Sequence, residues 1–218
     1  MERGIIMITY NNNNYYKYSD IFSIEKPLYY ELVYNFIRRL SIEYPYFINW
    51  YSNLFTDDKE LKSDREIIIC ESNYKIVGLA ILKSSEYEKK ICTLRVDRKY
   101  QHQGIGKKLM QLSLEWLECD YPVITMHKSK QVQFDSLLKY YGFKLEQKQM
   151  HYYSIFSTEY VYNGELPDKK LFFNKFEIMD MQNVYRSFIK LGKYDIDEFI
   201  EECINIWCKR EMNRMIIG

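Results

Sequence analysis

The chain has 218 residues, 47% of them hydrophobic and 28% charged, enough to bury a core as one domain with room for an appendage. A formal net charge of +1 supplies no general attraction to nucleic acid, although a local basic patch stays open, and five scattered cysteines (Cys70, Cys92, Cys119, Cys203, Cys208) suggest neither a disulfide framework nor a zinc cluster. No apolar run is long enough to cross a bilayer and the start lacks a signal-peptide pattern, so a cytoplasmic location without membrane association is expected.

Met1 to Ile24 carries a β-branched run, Ile5 to Thr9, and then Asn11 to Asn14; this is either a short strand with a turn or a poorly ordered lead-in. Two amphipathic segments follow, Val33, Phe36, Ile37, Leu40 and Phe47, Trp50, Tyr51, Leu54, both with the spacing of one helix face and separated by Pro45. Arg65 to Glu71 and Lys75 to Lys83 read as strands of a hairpin with a polar turn at Ser72, Asn73 and Tyr74. The charged loop Ser84 to Lys90, with Glu86 and Glu88, reads as a solvated turn.

Lys90 to Val96 is a third strand and Val123 to Met126 a fourth, with a helix from Gly104 to about Glu118 between them bearing Leu109, Leu112 and Trp116 on one face. Strand, helix, strand of this length predicts a parallel pair joined by a right-handed crossover. A short helix, Phe134 to Tyr141, is closed by Gly142, and strand-like runs follow at Leu145 to Tyr153 and Glu159 to Tyr162. The pattern is α/β with a mixed sheet. From residue 164 the period turns helical. Val184, Phe188 and Leu191 share a face ended by Gly192, and Asp195 with Glu198 forms a capping box for a helix bearing Phe199, Ile200, Cys203 and Trp207. The expected organisation is a domain over 1–163 and a C-terminal helical extension over 164–218 whose apolar face is buried on the core or on a partner.

Chemistry concentrates where the third strand runs into the central helix. A helix start leaves backbone N–H groups without intrahelical partners and carries partial positive charge, so it binds anions. Gly104 and Gly106 let a phosphate approach the backbone, and Arg98, Lys99, Lys107 and Lys108 add positive charge. The dinucleotide fingerprint fails because Leu109 stands where its third glycine belongs, and the Walker loop would need glycine at Gln101 and Ser or Thr at Lys108.

The run Gln101, His102, Gln103, Gly104, Ile105, Gly106 resembles the acyl-CoA loop of the GNAT superfamily of N-acetyltransferases: Gln or Arg, two residues, Gly, one residue, Gly or Ala. Val96 to Tyr100 resembles that family's approach to the loop, and Lys139, Tyr140, Tyr141, Gly142, Phe143 resembles its helix end. The resemblance covers roughly residues 27–162. It implies a GNAT-like mixed, mostly antiparallel sheet flanked by helices. It also implies acetyl-CoA as co-substrate without a metal, pantetheine held by backbone groups of Leu94, Arg95 and Val96, and the pyrophosphate taken by Gln101 to Gly106 with Lys107 and Lys108. His102 would contribute through its backbone. The first two helices and their loop, with Glu43, Tyr44 and Tyr46, would wall the acceptor cleft.

The implied reaction is attack of a neutral primary amine on the acetyl thioester, which needs a proton acceptor, an oxyanion donor and an acid for the departing sulfur. By resemblance the fourth strand ends near the thioester, which makes His127 the candidate base. The family's glutamate base has no counterpart, because Ile91 stands near its place. The family's tyrosine acid is replaced by Leu138, and Tyr141, one turn on along the same helical face, is the substitute candidate. The acceptor class stays open between a small molecule, a protein amino group and the charged end of an aminoacyl-tRNA. Only the last would make nucleic acid a partner, and a homodimer is allowed. From a different class, the chain could be a CoA-binding regulatory or interaction module with weak catalysis or none.

Overall fold

A computed structural model describes residues 7–42, 44, 46–150, 152–153 and 158–167. The helical extension expected over 164–218 falls almost wholly outside these residues, as do Ile5 and Ile6 of the first β-branched run.

The lead-in is a strand pair. β1 (Ile8–Tyr10) and β2 (Asn13–Lys17) form an antiparallel hairpin in which Tyr10 pairs with Asn13. The two residues between them, Asn11 and Asn12, have φ of 49° and 59°, the two left-handed residues that a tight hairpin turn matched to strand twist requires and that asparagine tolerates. Two helices follow, α1 (Lys26–Ile37) and α2 (Phe47–Ser52). β3 (Arg65–Ser72) and β4 (Lys75–Ser84) form the expected hairpin, its turn again two left-handed residues, Asn73 and Tyr74. β5 (Lys89–Val96), α3 (Ile105–Leu117) and β6 (Val123–His127) make the crossover. The chain then runs through α4 (Gln131–Tyr140), β7 (Leu145–Met150) and β8 (Thr158–Tyr162). α4 starts three residues earlier than the sequence suggests, and β7 ends at Met150 rather than at Tyr153.

The strands form one sheet in the order β1-β2-β3-β4-β5-β6-β8-β7. All neighbours are antiparallel except β5 and β6, so the sheet is mixed and mostly antiparallel, as expected. Alternation along the central strands sorts side chains to two cores. Ile67, Ile69, Leu79 and Ile81 pack with Val33 and Ile37 of α1 and Phe47 and Tyr51 of α2. Ile68, Ala80, Leu82 and Ile91 pack with Ile105, Leu109 and Leu117 of α3 and Leu138 of α4. β4, covered on both faces, is buried without interruption from Val77 to Leu82. α3 sits close to the sheet because position 78 has no side chain: a Cβ there would stand 3.0 Å from Ile105 Cγ2 and 3.1 Å from Leu109 Cδ1.

The parallel pair is short. β5 and β6 are partnered only at Lys90 with Val123 and Ile91 with Ile124. Immediately beyond, the register of β5 against β4 shifts, so that Cys92 is the extra residue of a bulge. A bulge bends its strand and disrupts the local ladder. Among the described residues, the β6-side edge of β5 has no strand partner from Cys92 to Val96, and Thr125 to His127 of β6 pair only with β8. The result is a notch in the middle of the sheet, open toward the ends of β5 and β6. Among the described residues no helix is long and apolar enough to cross a membrane.

Candidate active site

The loop that leaves β5 is wound against its own backbone. The Asp97 N–H donates to the Val77 carbonyl of β4 (2.8 Å), and the Asp97 carboxylate accepts the Lys99 N–H (2.9 Å), which turns the chain at Arg98–Tyr100. Gln101 reaches back, its Nε2 donating to the Val96 carbonyl (3.2 Å) on the otherwise open end of β5. Gln103 donates to the Lys99 carbonyl (3.1 Å). His102, at φ 61°, and Gly104, at φ 84°, both lie in the left-handed region, and this double reversal delivers the chain into α3.

The start of α3 is left open. Among the described residues no side chain caps it, and the first intrahelical bond here runs from Lys108 N–H to the Gly104 carbonyl (3.0 Å), so the N–H groups of Ile105, Gly106 and Lys107 precede the ladder. Among the described residues a Cβ on Gly106 would meet only Val96 Cγ2, at 3.8 Å, and one on Gly104 only Asn11 Nδ2, at 3.9 Å. Packing among the described residues therefore does not demand glycine at 106; the space there faces the end of β5. The loop residues and Leu94 to Val96 thus lie in sequence from the notch to an uncapped helix start, a path suited to an extended ligand with an anionic end.

α4 closes one side of this path. Tyr140 places its ring 3.8 Å from Lys107 Nζ, and Tyr141, the residue that caps α4, donates its hydroxyl to the Lys107 carbonyl (3.0 Å). Burial pushes the Tyr141 phenol above the ordinary tyrosine value, so it is a proton donor at neutral pH. Leu138, one turn earlier, is buried in the core.

His127 is the last residue of β6, within the strand rather than after it. Its Nδ1 accepts the Ser129 N–H (3.3 Å) and lies 2.8 Å from Ser129 Oγ, which fixes the ring and leaves the proton of the neutral form on Nε2. The structure therefore sets Tyr141 at the start of α3 and His127 at the end of β6, without a hydrogen bond between them.

Sequence reasoning missed the residues opposite His127. Glu159 of β8 is its register partner and is fully buried. Tyr153, in the β7–β8 connection, meets Tyr44 of the α1–α2 loop edge to face at 4.8 Å, so the two connections touch on the α1/α2 side of the sheet. Burial, reinforced by the Glu159 charge, raises the Tyr153 phenol as well. On the same side Arg95 projects toward the Phe36 ring of α1 (5.8 Å). The signal available was a glutamate inside the apolar run of β8, which reads equally well as a strand end facing solvent. Glu43 lies outside the described residues. Glu88 belongs to the charged turn, paired with Lys83 (2.7 Å) and Lys90 (3.8 Å); burial raises its carboxyl, but these lysines more than offset that and hold it below the usual range.

The family model for the acetyltransferase (GNAT) family matches residues 20–134, more than half of the chain, and the chain belongs to that family. Among solved structures it is similar to a GNAT family acetyltransferase from Elizabethkingia anophelis with acetyl-CoA bound, at 19% identity over 72% of this chain and 100% of that one (TM-score 0.49). It is similar to the ribosomal-protein-S18-alanine N-acetyltransferase of Escherichia coli at 16% identity over 73% and 99% (TM-score 0.49). Ard1 of Thermoplasma volcanium aligns at 19% identity over 44% and 67% (TM-score 0.40). Of several other solved acetyltransferases the chain spans 62–68% of the length. No functionally curated protein matches it.

Proposed function

We propose that this acetyltransferase moves an acetyl group from acetyl-CoA to a primary amine. The observation that carries the reading is the continuity between the notch, the Leu94–Val96 edge of β5 and the uncapped start of α3 at Gly104–Gly106. The backbone of Leu94, Arg95 and Val96, along the edge of β5 that β6 has left, binds the amide-bearing pantetheine arm as a strand would. The N–H groups around Gln101, His102, Gln103, Gly104, Ile105 and Gly106 hold the diphosphate, with Lys107 and Lys108 beside it.

With the thioester in the notch, the amine nitrogen attacks the carbonyl carbon, the C–N bond forms, and the C–S bond breaks as the electron pair returns to sulfur. The amine's proton goes to His127, relayed by the Ser129 hydroxyl that faces Nδ1. Tyr141 supplies a proton to the sulfur by exchanging its bond to the Lys107 carbonyl for one to the leaving group. Orientation of the two reactants in the notch supplies much of the rate. The acceptor is a small-molecule amine, a protein amino group or an aminoacyl-tRNA.

The second reading, a CoA-binding module with weak catalysis or none, is favoured by the buried Leu138 and by the Tyr141 hydroxyl being engaged with backbone. Two measurements separate the readings. CoA and acetyl-CoA should raise the melting temperature, since a ligand selective for the native state stabilises it. Thiol release from acetyl-CoA with pooled amines, peptides or charged tRNA should exceed the rate without acceptor. A thermal shift without acceptor-dependent thiol release supports the second reading, and the lack of a shift at millimolar CoA sinks both.

A further inference from the structure

The β1–β2 hairpin precedes residue 20, where the match to the family begins, yet it reaches the loop that the family match contains. Its tip is fixed by two side-chain bonds: Thr9 Oγ1 donates to Asn14 Oδ1 (3.0 Å) and Asn13 Nδ2 to the Asn11 carbonyl (3.0 Å). Asn11 then extends its amide to the start of α3, with Nδ2 3.9 Å from the point where a Cβ of Gly104 would stand. This approach is not an isolated brush of a turn against a loop. Tyr10 lies with its ring 5.7 Å from Lys108 Nζ, and Ile8 lines the same groove as Leu112 and Trp116. Two residues of strand advance about 6.6 Å and four residues of helix about 6 Å, so β1 and α3 stay in step from Ile8 beside Leu112 to Tyr10 beside Lys108. Ile8 and Tyr10 stay exposed, so β1 borders a groove along α3 and brings its tip to the helix start.

At that tip the side-chain amide of Asn11 has no hydrogen-bond partner among the described residues. It faces the side of Gly104 that lacks a Cβ, beside the helix start whose own N–H groups are uncapped. We infer that Asn11 is a phosphate ligand of the co-substrate: its Nδ2–H donates to an oxygen of the CoA diphosphate held at the start of α3. This rests on the reading of the loop as a CoA site. It adds a side-chain contact from an element ahead of the family-matched segment, where donors would otherwise be backbone groups and flexible lysines. A neutral amide meeting a phosphate makes a charge-assisted bond, stronger than an ordinary one and sensitive to replacement by a carboxylate.

The test uses the full chain and three probes: CoA, acetyl-CoA and S-acetylpantetheine, which keeps the thioester and lacks the phosphates. Asn11→Gly keeps the left-handed turn and removes the amide, and Asn11→Asp keeps the turn and replaces the donor with a negative charge. By calorimetry the Kd for CoA should rise about 10-fold in Asn11→Gly and further in Asn11→Asp. The melting temperature of the free protein should be unchanged, and the turnover of S-acetylpantetheine should equal that of the wild type. A wild-type Kd for CoA in both variants overturns the assignment. So does an equal loss with S-acetylpantetheine, because the hairpin would then be shaping the notch rather than holding a phosphate. If the wild type itself fails to bind CoA, the cofactor reading falls, and that result is distinct from wild-type binding that the variants retain.

Discussion

Tyr141 is held across the start of α3 and has one group to give. Burial keeps its phenol protonated, and the bond to the Lys107 carbonyl fixes the ring across the start of α3. Tyr141→Phe preserves the packing of the ring and removes the proton, so turnover should fall about 10-fold or more if Tyr141 supplies the acid, with CoA affinity little changed. Unchanged turnover would remove it from the mechanism, and the sulfur would then leave as thiolate and take its proton from water. A second residue tests the fold rather than the chemistry. Burial raises the Glu66 carboxyl, although Ser19 Oγ (2.6 Å) and the N–H groups of Ser19 (3.2 Å) and Ile67 (3.0 Å) pull it down. A folded-state pKa above the unfolded one gives stability that is present in acid and lost as pH rises through the folded value. Glu66→Gln keeps acceptors for both N–H groups and a donor for Ser19 Oγ, so it should melt no lower than the wild type at pH 7, and its advantage should vanish toward pH 4. A variant clearly less stable at pH 7 would show that the charge itself is stabilising.

At the scale of elements, the placement of α3 decides the site, and two glycines separate its structural and functional demands. A methyl at position 78 would crowd Ile105, Leu109 and the Arg95 carbonyl, the last at 3.3 Å and part of the sheet. Gly78→Ala should therefore cost about 1–3 kcal/mol and, by lifting the first turn of α3, weaken CoA binding as well. Gly106→Ala meets only an ordinary contact with Val96, and alanine favours helix by about 1 kcal/mol over glycine. The free protein should melt at the same or a higher temperature, while the shift produced by CoA shrinks. Equal behaviour of the two variants would break this division. Helix α3 and strands β3 to β6 were legible from the sequence because their apolar periods are unambiguous and Gly104 marks a boundary. The hairpin β1–β2 was half legible: Ile8 and Thr9 announced a strand, but Asn13 and Asn14 are poor strand formers, and β2 holds because Tyr15 and Tyr16 are buried on opposite faces of the sheet. β7 ends early for a related reason, since Tyr152 and Tyr153 look like strand residues yet pack in the connection that meets Tyr44.

For the whole molecule, the crossover from β5 through α3 to β6 followed from element order, whereas the notch did not. It depends on a bulge at Cys92 and on a parallel pairing that stops after Ile91 and Ile124, and both are properties of register between strands distant in sequence. The proposed acid and base, Tyr141 and His127, were the least legible, because such roles depend on what Lys107, Ser129 and Glu159 place around them. Every group named for the co-substrate lies between Tyr10 and Tyr141, which leads to a last expectation about the segment beyond Pro167. A chain ending at Pro167 keeps Leu166 packed with Tyr152 and Val161 and keeps the β7–β8 pair that closes the sheet. It should retain the thermal shift with CoA. The sequence of 164–218 carries apolar faces through Phe188, Phe199 and Trp207, and if these bury against the core or a second copy, their removal should lower solubility or change the assembly seen by light scattering. A truncated chain of unchanged solubility and mass would make the tail an independent appendage. Loss of the CoA shift in a truncated chain that still melts cooperatively would instead put part of the co-substrate site in the tail, against the reading that the loop and the notch suffice.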